Sequence, residues 1–312
     1  MYDPSKPYKH QILKLIESTW QTPYVKVERG LYPIIRKKFS YPEIQHTDGI
    51  GTKGVYHLRK RTFKNAVIDA LAMNLNDLAM MGAVPYALQD HIVVPDGGEE
   101  SVLEIIRALT AECKRRRIAI VGGETSHHNN VSGIDISVTV SGFIKKVRTN
   151  KSEPGDILIG LRSKGLHSNG FTKVRSVFSK REWRDDFITP TAIYLDDILA
   201  ILPRYTVHGM MHITGGAFTK LKDILSHADA VISQPKTLMP QKIFYELYNR
   251  GISSRVMYST FNCGVGFILS VPPGEVKSII SKLKNAAVIG AVRRGNGNVK
   301  INSTFDGKWL KL

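Results

Sequence analysis

Residues 47–53 read Thr-Asp-Gly-Ile-Gly-Thr-Lys, and the reading of this stretch decides the fold. Its two glycines, Gly49 and Gly51, let the backbone take positive φ or pass close to a ligand. The Asp48 carboxylate suits the magnesium that travels with a phosphate. The Lys53 amine can meet that phosphate as a point charge, with the Thr52 hydroxyl beside it. Asp-Gly is equally a hairpin signal. On these seven residues alone, a plain β-turn and a nucleotide-binding turn both stand.

The flanking sequence narrows the choice. Residues 9–18 predict a short amphipathic helix, and a basic, irregular stretch follows to Tyr41-Pro42. TDGIGTKGVYHLRK places β-type residues around the turn, which predicts a strand near 52–58. From Asn65 to Met81, Val67, Leu71, Leu75, Leu78 and Met81 recur at steps of three and four, a helix with a buried stripe. At 3.6 residues per turn Asp69 and Asn76 share the opposite side and Asp77 lies on the flank. Gly82-Ala83-Val84-Pro85 stops that helix before a strand over 86–94. Val102, Ile106, Leu109 and Cys113 mark the next helix, followed by strands at 118–124 and 134–144.

The polar run Lys151-Ser152-Glu153-Pro154-Gly155-Asp156 predicts a domain boundary, giving domains 1–150 and 151–312. Beyond it the strands ILIGL, ADAVIS and VGFILSV alternate with helical segments near 169–179, 191–201, 216–226, 240–250 and 274–285. Gly295-Asn296-Gly297 reads as a simple hairpin turn. No internal repeat is visible.

Bulk properties agree with two domains. The chain has 312 residues, 42% hydrophobic and 23% charged, ordinary values for a globular protein but a length beyond one comfortable core. No apolar run reaches the length of a membrane span, and MYDPSKPYKH does not read as a secretory leader. With only Cys113 and Cys263 there is no disulfide framework, so a reducing cytosol is the expected compartment. The net charge of +17 favours anionic partners, and its short, scattered clusters argue against specific nucleic-acid binding.

Asp48, Asp69, Asp77 and Glu124 carry the clearest chemical signal in the first half. Three of them adjoin special neighbours, in DGIGTK, NDL and GGET (Gly122-Gly123-Glu124). Magnesium-nucleotide sites need only a few carboxylates, because phosphate oxygens and water complete the shell. The competing reading has solvent-exposed helix aspartates and an ordinary strand-to-loop turn. In the second half, Gly165-Leu166-His167-Ser168-Asn169-Gly170 falls between a strand and a helix. It is either a phosphate-holding helix start or an ordinary N-cap on Ser168 or Asn169. His212-Ile213-Thr214-Gly215-Gly216 repeats the pattern, its histidine an acid/base candidate or a structural side chain. Cys263 reads as a small buried residue, and His127-His128 as loop residues without a further ligand.

TDGIGTK, IDALAMNLNDLAMMGAVP, VGGET, GDILIGL, GLHSNGF, HITGGAF and MYSTFNCGVG occur in an order that resembles aminoimidazole ribonucleotide synthetases, the phosphoribosylformylglycinamidine cyclo-ligases. The resemblance runs from about Thr47 to about Val292. GLHSNG and MYSTFNCGVG are its more particular motifs. It implies an α+β fold of the PurM-like superfamily. An N-terminal sandwich-like ATP-binding domain would pair its sheet with a twin in a homodimer, ahead of a C-terminal mixed-sheet α/β domain. It also implies ATP-dependent ring closure of formylglycinamidine ribonucleotide in purine biosynthesis, releasing ADP and phosphate.

By the same resemblance, Asp48, Asp77 and Glu124 would hold Mg2+ and nucleotide, with Gly49, Gly51, Thr52, Gly122 and Gly123 around them. Lys53 would lie near phosphate, Asp69 and Asn76 would support the site, and His212 would be the acid/base or oxyanion-side group. His167, Ser168, Asn169, Thr214, Gly215 and Gly216 would bind the phosphoribosyl substrate.

Three stretches depart from the family pattern. GLYPIIRKKFSYPEIQH replaces a glycine-rich lid, Ser126-His127-His128-Asn129-Asn130 replaces the usual Ala-Glu-Met-Pro-Gly, and Ala217 replaces a third glycine. The rival readings are a thiamine-monophosphate kinase, a selenophosphate synthetase, a hydrogenase-maturation protein, or a non-catalytic nucleotide-binding relative. The chain lacks an N-terminal reactive cysteine and a C-terminal cysteine, which the second and third would need.

Overall fold

The computed structural model describes residues 8–95 and 98–312. Two compact units divide it: one takes residues up to Leu78 and Ala83–Lys146, the other Ala79–Gly82 and Val147–Leu312.

In the first unit, α1 (Lys9–Glu17) precedes a hairpin of β1 (Val25–Glu28) and β2 (Ile34–Lys37). Then come β3 (Glu43–Gly49), α2 (Gly54–Lys60), α3 (Phe63–Met80), β4 (Ala83–Pro95), α4 (Glu99–Arg116), β5 (Ala119–His128) and β6 (Asp135–Ile144). Strands β3-β6-β4-β5 form one sheet, with only the β4–β5 pair parallel. Alternation along β4 sends Leu88, Asp90, Ile92 and Val94 inward and Gln89 and His91 outward, as a period of two requires. The outer face is polar: Gln45 bonds Ser141 at 3.2 Å, and Thr47 bonds Thr139 at 2.9 Å. The hairpin packs on the sheet through Val25, Tyr86 and Phe143, with Trp20, Tyr24 and Phe39 around them.

Two local expectations need correction. Residues 54–60 form a helix, because Gly51 takes φ +52 and aims the chain into a 3-10 turn at Gly51–Lys53 instead of a returning strand. The stretch expected to be irregular up to Tyr41-Pro42 holds the β1–β2 hairpin, whereas the strand expected over 86–94 is β4, inside a sheet whose edges are β3 and β5.

In the second unit, β7 (Ile157–Arg162), α5 (Phe171–Val177), α6 (Leu195–Ile201), β8 (Gly209–His212), α7 (Lys222–Leu225) and β9 (Ala228–Ser233) come first. They are followed by α8 (Lys242–Asn249), α9 (Ser254–Thr260), β10 (Val265–Val271), α10 (Val276–Lys282), β11 (Ala286–Arg294), β12 (Val299–Asn302) and β13 (Trp309–Lys311). The mixed sheet runs β13-β12-β9-β11-β7-β10-β8. Strand β10, between β7 and β8, is buried along its whole length, which is why VGFILSV is apolar apart from Ser270, whose hydroxyl donates to Asp156 Oδ2 at 2.7 Å.

The hairpin expected at Gly295–Gly297 is not one. β11 and β12 pair with opposite sides of β9 and not with each other. The turn between them is fixed by Asp229, whose Oδ1 accepts from Asn296 N and Asn298 N, each at 2.9 Å. Among the described residues, no helix is long and apolar enough to cross a membrane.

Candidate functional site

In the first unit the TDGIGTK turn lies where β3 ends. Asp48 Oδ1 accepts the amide of Gly49 at 2.7 Å. Asn74 of α3 donates to the Asp48 carbonyl at 3.1 Å and to the Ala70 carbonyl at 2.9 Å. The Asn74 oxygen then accepts from His46 Nδ1 at 2.9 Å, while His46 Nε2 lies 3.2 Å from Asp77 Oδ2. The hydrogen bond to Asp77 raises the His46 pKa against the opposing effect of burial. His46 thus ties Asp77 to the segment that carries Asp48.

Beneath this turn Lys53 and Asp69 form a closed pair, Nζ to Oδ2 at 2.8 Å, with neither side chain exposed. His57 Nε2 reaches the same oxygen at 2.8 Å, and its Nδ1 meets Thr62 Oγ1 at 2.8 Å. Burial disfavours charge on all three. It lowers the Lys53 and His57 pKa values, whereas Lys53 and His57 together outweigh it at Asp69 and keep that carboxyl ionised. The Lys53 amine is therefore engaged inside the unit. Asp69, Asn74 and Asn76 are all buried, so α3 is enclosed on its polar side too. The solvent-exposed alternative fails for Asp69 and Asn76.

Glu124 stands elsewhere on the sheet. Asp48 pairs with Val138, Val138 with Asp90, and Asp90 with Gly123. Asp48 and Gly123 thus lie in one row, three strand spacings or roughly 14 Å apart. One ion does not bridge Asp48 and Glu124, and no group of three or more His, Cys, Asp or Glu among the described residues could hold a metal ion. Glu124 Oε1 accepts from Thr125 N at 3.0 Å.

Two carboxylates escaped the sequence reading. Asp90 is buried, and neither of its oxygens has a hydrogen-bond partner among the described residues. Burial pushes its pKa up to about 7. A Cβ on Gly123 would sit 2.5 Å from Asp90 Oδ2, so this GGET glycine makes room for a carboxylate. Period-two alternation in YALQDHIVV was the available signal, since it puts Asp90 on the face of Leu88 and Ile92. Asp135 opens β6 with a buried, unpartnered Oδ1. Burial raises its pKa, and nearby Asp48 adds to the effect. Asp48 and Asp135, mutually repelling carboxylates at the TDGIGTK turn, are oxygen donors of the kind a hard cation takes together with water and phosphate oxygens.

In the second unit, topology does the assembling. β7 and β8 flank β10 and are both antiparallel to it: Arg162 pairs with Val265, and His212 with Phe267. GLHSNG leaves the end of β7, Thr214-Gly215-Gly216 leaves β8, and MYSTFNCG enters β10, all at one end of the sheet. Contacts knit the three together. Asn262 Nδ2 donates to the Gly165 carbonyl at 2.8 Å, and Ile213 N to the Gly266 carbonyl at 2.9 Å. A Cβ on Gly170 would lie 2.2 Å from the Phe261 ring.

Ser168 Oγ meets Thr191 Oγ1 at 3.0 Å. His167, at φ +61, is buried and accepts the Lys164 amide on Nε2 at 3.1 Å. His212 is fully buried, its ring 6.3 Å from that of Phe267. Cys263 is buried as well, which raises its thiol pKa.

These units define a two-domain α+β protein with largely antiparallel sheets. The AIR synthase related N-terminal domain profile matches residues 38–144, and the C-terminal domain profile matches residues 153–302. The chain is 35% identical over 300 residues to the phosphoribosylformylglycinamidine cyclo-ligase of Saccharolobus solfataricus, covering 93% of this chain and 90% of that one. It is 36% identical over 252 residues to the cyclo-ligase of Methanococcus maripaludis strain C6, covering 75% and 72%. Among solved structures it resembles the hydrogenase maturation protein HypE in complex with ATP, with a TM-score of 0.72 at 16% identity over 100% of this chain and 96% of that one. That last likeness concerns the fold alone. The chain belongs to the phosphoribosylformylglycinamidine cyclo-ligase family.

Proposed function

We propose that this chain closes the imidazole ring of aminoimidazole ribonucleotide from formylglycinamidine ribonucleotide, consuming ATP and releasing ADP and phosphate. The observation that carries the reading is the meeting of GLHSNG, TGG and MYSTFNCG at one end of the second unit's sheet. GLHSNG and MYSTFNCG are the more particular motifs of the resemblance, and they lie with TGG at that one end. Phosphorylation of the formyl oxygen makes a leaving group, and attack by the amidine nitrogen then closes the ring. The protein's task is to position two anionic substrates and offset charge on the transferred phosphoryl group.

Within this reading, Asp48 and Asp77 would hold magnesium at the TDGIGTK turn with Asp135 beside them, and the ion when bound would supply charge neutralisation for phosphate. Gly49, Gly51 and Thr52 approach the nucleotide there. Glu124, with Gly122 and Gly123, forms a separate acidic edge across the sheet. Lys53, Asp69 and Asn76 act from inside, holding the turn and α3 in place. Ser168, Asn169, Thr214, Gly215 and Gly216 bind the ribonucleotide, His167 shapes their loop, and His212 is the acid/base group.

A homodimer fits the unpaired edge of β3, the open polar outer face, and Leu31, Tyr32 and Ile34, all exposed on the hairpin. Two buried, unbridged thiols suit a reducing cytosol. The test is direct: purified protein, formylglycinamidine ribonucleotide and Mg-ATP are combined and the aminoimidazole product is measured. Nucleotide binding without that product would overturn the reading.

A further inference from the structure

Past β8 the chain runs through Thr214-Gly215-Gly216 into the 3-10 segment Ala217–Leu221, which carries Lys220. The lysine folds back along its own turn. Its Cγ would lie 3.4 Å from a Cβ on Gly216, and its Nζ donates to Thr214 Oγ1 at 3.1 Å. No carboxylate among the described residues pairs with it. An unpaired lysine at a surface ordinarily extends into water, so a bent stem reaching a buried hydroxyl is a specific placement.

The neighbours are donors as well. Gly215 and Gly216 are exposed, and their amides serve no hydrogen bond among the described residues. Asn169, from the loop after β7, places Oδ1 3.8 Å from a Cβ on Gly215, and its Nδ2 is buried with no hydrogen-bond partner among the described residues. An amine and two successive amides, with no carboxylate among them, form a receptor for a compact polyanion. A magnesium-bound triphosphate would need carboxylates beside it. This cluster has none, so it suits a phosphate that binds without metal.

We infer that Lys220, with Thr214, the Gly215 and Gly216 amides and Asn169, forms a subsite for a phosphate monoester, the 5′-phosphate of the ribonucleotide substrate. The inference rests on the ring-closure reading for the identity of that ribonucleotide, while the anion chemistry stands on the geometry. Lys220 is a specificity residue here: it grips a part of the substrate that does not react, and its loss weakens binding more than turnover.

The experiment uses the full chain and ribose 5-phosphate as the calorimetric probe, in wild type, Lys220→Ala, Lys220→Gln and Lys220→Arg. Losing a charge-assisted contact should weaken ribose 5-phosphate binding about tenfold or more in the Ala and Gln variants, with partial recovery in Arg. In the coupled assay the KM for formylglycinamidine ribonucleotide should rise by the same factor, with the KM for ATP unchanged and kcat altered little. Unchanged ribose 5-phosphate affinity in both neutral variants, or no binding by wild type, overturns the subsite. So does an equal rise in both KM values. A wild-type chain that makes no aminoimidazole product yet binds ribose 5-phosphate through Lys220 keeps the subsite and removes the ring-closure reading.

Discussion

Lys53 Nζ and Asp69 Oδ2 meet at 2.8 Å with both side chains wholly buried, and this pair sets the strength of the TDGIGTK turn. Taking one partner away leaves an uncompensated charge in the interior, which costs about 3–5 kcal/mol. Lys53→Met is therefore expected to lower unfolding stability by that amount, and Lys53→Met with Asp69→Leu to recover much of it. Urea denaturation measures both. A single variant within about 1 kcal/mol of wild type would mean that Asp69 is held by its other contacts.

Asp90 gives a pH signature. Its folded pKa of about 7 lies above the ordinary carboxylate value, so the folded chain binds this proton more tightly than the unfolded one. The stability linked to that proton is complete below about pH 4 and is lost as pH rises through 7. The loss is on the order of 4 kcal/mol. Asp90→Asn keeps the shape and removes the titration. It should be more stable than wild type at pH 8 and lack the decline between pH 4 and 7. Parallel stability–pH curves for the two proteins would show that Asp90 is satisfied in solution.

The helices and strands of the first half were legible because their spacing is regular. The stripe from Val67 to Leu78 and the run from Val102 to Cys113 fall within α3 and α4. The strand expected at 52–58 was misread because Val55, Tyr56 and Leu58 favour strands as residues. A left-handed Gly51 and the Gly54 backbone packed against Ile134 override that preference. α9 escaped notice since its seven residues are too few for a period to register, and the nine-residue β11 because its half-buried pattern has neither a clean alternation nor an unbroken apolar run. At the site, TDGIGTK, GLHSNG and HITGG could be located in the sequence. The burial of Lys53 by Asp69 and the row joining Asp48, Val138, Asp90 and Gly123 depend on strand register, which one sequence does not encode locally.

Asp77 tests the nucleotide assignment. Its carboxylate faces His46 and is partly exposed, so Asp77→Asn removes one anionic ligand without opening a cavity. Mg-ATP affinity should fall by about tenfold or more if the carboxylate holds the cation, with the thermal transition nearly unchanged. Equal calorimetric affinities in variant and wild type would take Asp77 out of the site.

Assembly can be tested separately. A β3 edge with no pairing strand among the described residues, and the exposed Leu31, Tyr32 and Ile34 of the hairpin, are features that soluble chains ordinarily cover. A two-fold homodimer is expected, and light scattering at micromolar concentration should give twice the chain mass of 34.8 kDa. A monomer across that range would contradict it, and would leave the outer face as a solvated surface.

His212 closes β8 opposite Phe267, where the strand gives way to the Thr214-Gly215-Gly216 turn. An imidazole changes protonation near neutral pH, which suits proton movement during amide activation or ring closure. Its complete burial means that a direct role requires the adjoining turn to open onto the ring. His212→Ala should lower turnover roughly a hundredfold or more, the usual scale of acid–base help, while Mg-ATP affinity persists because the acidic set belongs to the first unit. Removing a buried ring also costs packing, so the thermal transition and the pH profile are measured alongside. A proton-transfer role removes one limb of the pH–rate profile in the folded variant. Near-normal turnover, or a loss that follows the folded fraction with the profile intact, would leave His212 as a packing residue beneath the turn.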